Sequence, residues 1–171
     1  MRKNKGLAIV IIDMQDHFIG SMSEIRRNNL IDRQLEILQE CIDQDLPVVV
    51  LEYDGSGPTT SRLKAKLSQV PRLETIVKYL DDGFYGTNLD QVLKNLGVES
   101  ILLTGVNASV CVRKTASSAV NIGYNVITGK HLITDVSCDG YVSFNLRDSL
   151  SWYEATSLFF PGPFSVSELN I

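Results

Sequence analysis

The sequence predicts a three-layer α/β fold, a parallel sheet wound on both sides by helices. Two observations predict it. Five short apolar runs rich in β-formers recur along the chain, and amphipathic stretches closing on glycine separate the later ones. No repeat, low-complexity tract or linker interrupts the pattern, so residues 1–171 read as one domain.

The first run, LAIVII (7–12), is continuous in apolar residues, as a strand buried on both faces should be. LIDRQLEILQECI (30–42) then brings Leu30, Ile31, Gln34, Leu35, Leu38 and Ile42 near one helical face. PVVVLEY (47–53) is the second strand, ended by the loop DGSGPT with its Gly55, Gly57 and Pro58. TIVKY (75–79) is the third. TNLDQVLKNLG (87–97) places Thr87 three residues before Asp90, a capping-box pattern, and stops on Gly97. SILLTGV (100–106) is the fourth strand, SVCVRKTASSAVNIG (109–123) a helix closing on Gly123, and YNVITG (124–129) the fifth strand. DGYVSFNLRDSLSWYEATSL (139–158) predicts a helix, and PFSVSEL (163–169) a last short strand.

Composition excludes several classes. The 171 residues are 44% hydrophobic and 21% charged, ordinary for a globular protein, with a net charge of −4. No basic stripe stands out, so nucleic acid is not an expected partner, and MRKNK reads as a solvated N-terminus. The apolar runs are too short to cross a bilayer, so no membrane is expected either. MRKNK followed by LAIVII has the outline of a signal peptide, but Asp13 ends the run after six residues and no small-residue cleavage site follows. A cytoplasmic location is expected. Three cysteines, Cys41, Cys111 and Cys138, lack paired spacing and suit a reducing compartment.

In open α/β sheets, ligands bind beyond the carboxyl ends of the strands. Asp13 follows the first strand, Asp54 the second, Lys78 lies at the end of the third, and GVNASVC follows the fourth. There is no GxGxxG, no GxxxxGK[ST] and no GxSxG, so dinucleotide, P-loop and serine-hydrolase readings lack their loops. The two histidines, His17 and His131, have no partner at ligand spacing. Cys111 has two readings. Free cysteine is commonly a small buried apolar residue. At a helix N-terminus after the turn that Gly105 permits, however, unpaired amides would stabilise a thiolate and a developing oxyanion.

Three ordered blocks carry a family resemblance. AIVIIDMQDHF resembles the opening of the isochorismatase-like cysteine hydrolases, where a strand runs into Asp-x-Gln and an aromatic residue. VKYLDDGFYGTNL is similar to their second block, with lysine six residues before phenylalanine and then Gly-Thr-x-Leu. GVNASVCV, followed by Thr-Ala and GYNV, is similar to the third. The match covers most of residues 6–135; the C-terminal stretch matches only loosely.

The resemblance implies a doubly wound, Rossmann-like fold with a six-stranded parallel sheet. It implies a catalytic triad of Asp13, Lys78 and Cys111, and a cis peptide between Val106 and Asn107. It also implies an oxyanion hole from the backbone N–H groups of Asn107 and Cys111. Family members commonly form dimers or larger assemblies, so a homo-oligomer is expected alongside a small-molecule substrate. The implied activity is hydrolysis of a small amide or carbamoyl C–N bond through a thioester.

Departures narrow this expectation. Nicotinamidases of the superfamily bind a metal through Asp-x-His after the second strand; here Asp54 is followed by Ser56 where that histidine would stand. No metal and no cofactor are therefore expected. Isochorismatases proper hydrolyse a vinyl ether and often carry glycine at the cysteine position, so Cys111 favours acyl chemistry. Asp16-His17 replaces the common Asn-Asp after Asp-x-Gln, and the stretch from Asp54 to Lys78 leaves little chain for a lid. Phe18, Tyr53, Phe84 and Tyr85 are candidate pocket residues, although aromatics beside strand ends serve equally as core.

Other readings stay open at this stage. Asp13 alone can be a helix cap, and Lys78 a solvated strand-end lysine. The chain can be a catalytically silent family member acting as an oligomeric small-molecule-binding or assembly module. A thiol redox sensor would need a resolving cysteine beside Cys111.

Overall fold

The computed structural model describes residues 4, 6–136, 156–169 and 171. Six parallel strands form one sheet: β1 (Leu7–Ile12), β2 (Val48–Tyr53), β3 (Leu73–Lys78), β4 (Ser100–Gly105), β5 (Asn125–Gly129) and β6 (Leu158–Phe160). Their order is β3-β2-β1-β4-β5-β6, so the winding reverses between β1 and β4. Helices α1 (Asp16–Ile19), α2 (Glu24–Gln44), α3 (Ser61–Leu67), α4 (Leu89–Asn95) and α5 (Arg113–Ile122) make the connections.

Burial explains which strands read most clearly as apolar runs. Every residue of β1 and β4 is buried, as are the first four of β2. These strands lie inside the sheet and are covered on both faces, so neither face selects polar residues. β3 is an edge strand and alternates: Glu74, Thr75 and Val77 are exposed, Ile76 and Lys78 buried.

Two local expectations change. The residues expected as a last strand, 163–169, instead form a 3-10 turn at Val166–Glu168. There the Ser165 hydroxyl accepts from the Ser167 N–H at 3.2 Å, and the Glu168 carboxylate accepts the Ser165 N–H at 3.1 Å. These local bonds turn the chain where a strand would need ladder partners. The sixth strand lies earlier, at Leu158–Phe160, where a helix was expected to end; residues 139–155 of that helix lie outside the described residues. The Thr87–Asp90 capping box is half formed. Thr87 Oγ1 accepts the Leu89 N–H at 3.2 Å, but Asp90 accepts from Lys94 at 2.6 Å and from the Tyr124 hydroxyl at 2.8 Å. No helix among the described residues is long and apolar enough to cross a membrane.

Candidate active site

The site is assembled from strand ends. β1 stops because Asp13 adopts a left-handed conformation, φ 53°, which aspartate tolerates better than β-branched residues. Its N–H still donates to Leu51 O at 3.0 Å. β3 ends on Lys78, whose inward position on the alternating edge strand buries it completely. Lys78 Nζ lies 2.9 Å from Asp13 Oδ2, with both side chains at 2% exposure or less. This contact is an ion pair off hydrogen-bond alignment; the ammonium also donates to Leu80 O at 3.2 Å and sits 4.4 Å from the Tyr53 ring centroid. A solvated Lys78 is thereby excluded. Asp13 is no helix cap either, since α1 begins at Asp16 behind Gln15.

Burying either charge alone is costly, so the pair is mutually dependent. Lys78→Met is expected to destabilise the fold by about 3–5 kcal/mol at pH 7, because it leaves Asp13 buried and unpaired. Lys78 lowers the Asp13 pKa, so its loss raises that pKa further. A carboxyl with a raised folded-state pKa loses stability as pH climbs through it. The deficit measured by urea unfolding should therefore shrink towards pH 4, and Asp13→Asn added to Lys78→Met should recover much of it.

Cys111 arrives by a tight turn. Gly105 ends β4 at φ 128°, the Val106–Asn107 peptide is cis, and a π-helical turn over Ala108–Val112 leads into α5. Cys111 thus sits in the fourth position of that turn rather than opening the helix. Asn107 O accepts the N–H groups of Val110 and Val112, both at 3.1 Å. Neither the Asn107 nor the Cys111 amide donates to a backbone oxygen outside the turn among the described residues.

Residues 132–136 brace the turn. Ala108 N–H donates to Thr134 O at 3.0 Å, Asp135 Oδ1 accepts the Ser109 N–H at 2.9 Å, and Asn107 Oδ1 accepts the Val136 N–H at 2.9 Å. Arg26 from α2 ties this brace down through Thr134 Oγ1 and Asp135 O.

The Cys111 thiol faces Asp81, with Sγ 3.8 Å from Asp81 Oδ1, and lies within the field of the Asp13 and Lys78 charges. Burial, then the Asp13 charge, push its pKa up to about 12. The resting group is a thiol, opposite in direction to the thiolate stabilisation expected of a helix N-terminus. Desolvation also raises the Asp13 pKa, against the lowering by Lys78. Asp81 goes the other way: a 2.6 Å hydrogen bond from Lys114 is the first cause holding its carboxyl below the usual range.

Asp81 was not among the residues singled out from sequence. Its signal is its place just past Lys78 at the carboxyl end of β3, masked because paired acids before glycine look like a solvated turn. Gln15 was likewise passed over as a separate residue. It is buried and clasps the end of β2, accepting the Tyr53 N–H at 2.7 Å and donating to Tyr53 O at 2.9 Å.

Of the four aromatic candidates, Tyr53 lies under Lys78, and Phe18 meets Tyr53 edge-on at 6.0 Å. Phe84 instead stacks on Tyr124 at 5.9 Å, and Tyr85 is 67% exposed. Cys41 is buried in α2, its thiol pushed up to about 12 chiefly by burial, and Cys138 lies outside the described residues. His17, Asp54 and His131 are exposed. Among the described residues no group of three or more His, Cys, Asp or Glu side chains could hold a metal ion.

Fold and site define a doubly wound α/β protein with a cysteine, a carboxylate and an ammonium gathered at the carboxyl ends of its strands. The isochorismatase domain family matches residues 7–147, and the chain belongs to that hydrolase family. It is 28% identical over 128 residues to streptothricin hydrolase of Streptomyces noursei, covering 70% of this chain and 46% of that enzyme. The chain therefore spans less than half the length of that relative. In fold it is similar to the nicotinamidase of Staphylococcus aureus, with a TM-score of 0.77 and 19% identity over 92% of this chain and 99% of that one. It is also similar to N-carbamoylsarcosine amidase of Thermoplasma acidophilum, with a TM-score of 0.72 and 20% identity over 92% and 98% of the two chains.

Proposed function

We propose that this protein is a cofactor-independent cysteine hydrolase cleaving a small amide or carbamoyl C–N bond, with Cys111 as nucleophile, Asp13 as proton carrier and Lys78 as the cation that orients it. The observation that carries the reading is the buried Asp13–Lys78 ion pair, whose two charges act on the buried Cys111 thiol. The similar proteins include a streptothricin hydrolase and, in fold, a nicotinamidase and an N-carbamoylsarcosine amidase; the last two names support an amide-type bond. The proposed partners are the small-molecule substrate and further copies of this chain, with no nucleic acid or membrane.

The chemistry follows from basicity. A thiol at about 12 cannot ionise alone at neutral pH, so its proton passes to Asp13 as sulfur attacks the carbonyl carbon. Burial has made Asp13 a stronger base than an ordinary carboxylate. The amides of Asn107 and Cys111 hold the developing oxyanion. Collapse breaks the C–N bond, and Asp13 returns its proton to the departing nitrogen, leaving a thioester. Water then loses a proton to Asp13 as it attacks the thioester, and that proton goes back to sulfur.

A second reading, a catalytically silent binding module, is favoured by the protonated resting thiol alone. One experiment separates the two. A panel of small primary amides and carbamoyl compounds is assayed for turnover, with acid quench and mass spectrometry of Cys111. An acyl adduct with turnover supports the enzyme; neither, across the panel, sinks it. Iodoacetamide labelling tests the electrostatics. Wild-type Cys111 should label slowly at pH 7, faster in Asp13→Asn, which removes a charge that raises the thiol pKa, and slower in Lys78→Met, which removes one that lowers it.

A further inference from the structure

We propose that Asp81 is the specificity-determining acceptor of this site, taking a substrate N–H at the carboxylate oxygen that now faces the Cys111 thiol. The inference rests on the acyl-transfer reading and names the substrate class within it: compounds whose reacting carbonyl carries an N–H, such as primary amides and ureido groups, over esters and tertiary amides.

Geometry carries it. Asp81 Oδ1 stands 3.8 Å from Cys111 Sγ. A carbonyl carbon poised for attack lies about 3–3.5 Å from the attacking atom. Groups attached to that carbon then come within reach of Oδ1 at hydrogen-bonding distances of roughly 2.7–3.2 Å. An ionised carboxylate only accepts, so a carbonyl or ester oxygen placed there gains nothing, whereas an N–H gains a charge-assisted bond. Occupancy also alternates in the right order. At rest the thiol donates to Oδ1; when the S–H rotates to Asp13 and gives up its proton there, Oδ1 is free for the substrate.

Lys114 prepares the group for this role. It grips Oδ2 at 2.6 Å, and that bond helps keep Asp81 ionised. Burial has the opposite effect on Asp13. Two carboxylates around one sulfur thereby divide the work: Asp13, the stronger base, moves the proton, and Asp81 accepts a hydrogen bond without taking the proton.

The test compares kcat/KM for a primary amide found to be cleaved, its N,N-dimethyl amide and its methyl ester, in wild type, Asp81→Ala and Asp81→Asn. Asp81→Ala should lower the primary-amide value about 10–100-fold, the range for losing a charged hydrogen bond. The ester shares the thiol but offers no N–H, so it should lose less, and the amide-to-ester ratio should fall about tenfold or more. Asp81→Asn, which keeps an acceptor oxygen, should recover part of the loss. Equal losses on amide and ester, or none on either, overturn the role of Asp81 while leaving the cysteine hydrolase standing. A wild type that cleaves neither amide nor ester overturns the hydrolase reading itself.

Discussion

Cys111→Ala is expected to abolish amide hydrolysis and the acyl adduct, lowering kcat on the order of 10⁴-fold or more, as removal of a covalent nucleophile does. The fold should survive. The substitution removes one sulfur from a position 6% exposed, and the Asp81 oxygen that loses its donor belongs to a half-buried side chain able to reach water. A cost of about 1 kcal/mol is typical of such a change. Steady-state kinetics beside thermal unfolding separates lost chemistry from lost structure. Turnover surviving in Cys111→Ala would move the reaction from covalent catalysis to water activated by Asp13. Cys111→Ser should not rescue it at neutral pH, because a hydroxyl is harder to deprotonate than the thiol it replaces.

Gly105→Ala should produce the largest loss of stability of any glycine-to-alanine change among the described residues. A Cβ there would lie 2.0 Å from Ile12 O and 2.9 Å from Ile12 C and N. Those are backbone atoms of the neighbouring strand, held in register as the Ile12–Gly105 pair, so they cannot swing aside. Gly105 also has φ 128°, a region closed to most side chains. We expect a cost of about 4 kcal/mol or more, which in a chain of this size lowers Tm by roughly 8–16 °C. Gly123→Ala is the control. Gly123 has φ 112° but nothing within 4 Å of the added carbon, so it reports the backbone cost alone, about 1 kcal/mol. Similar Tm shifts for the two variants would refute the steric account.

The clash matters for function because Gly105 joins β4 to the turn that presents Cys111. Val106 N–H donates to Ile12 O at 3.1 Å, one residue before Asp13. The backbone carrying the acid and the backbone leading to the thiol are thus locked together. A displacement at Gly105 moves both ends of the proposed proton transfer.

How much of this was legible beforehand varied with the physical origin of each feature. β1, β2 and β4 were plain because double-sided burial leaves continuous apolar residues, a pattern written along the chain. The edge strand β3 started two residues earlier than its apolar run, since one of its faces is wet. β6 has only three residues, and the sequence pattern places just Leu158 of them, at the end of a helix. Asp13, Lys78 and Cys111 are marked in the sequence by motif resemblance; the structure pairs Asp13 with Lys78 in burial, and their charges act on the Cys111 thiol. Asp81 carries no motif, and its approach to Cys111 Sγ and its bond from Lys114 distinguish it from Asp82, which accepts from Ser118 and the Phe84 N–H.

By itself, then, the sequence determined the parallel α/β architecture, the glycine turns and the motif spacing that marks the family. Those are local properties: side-chain periodicity and backbone freedom act within a few residues of their cause. Tertiary structure alone decided the sixth strand, the burial of Lys78, the second carboxylate at the sulfur and the direction of the Cys111 pKa shift. Desolvation and Coulomb interaction act through space, so the state of that thiol is set first by its burial and then by charges delivered from other strand ends.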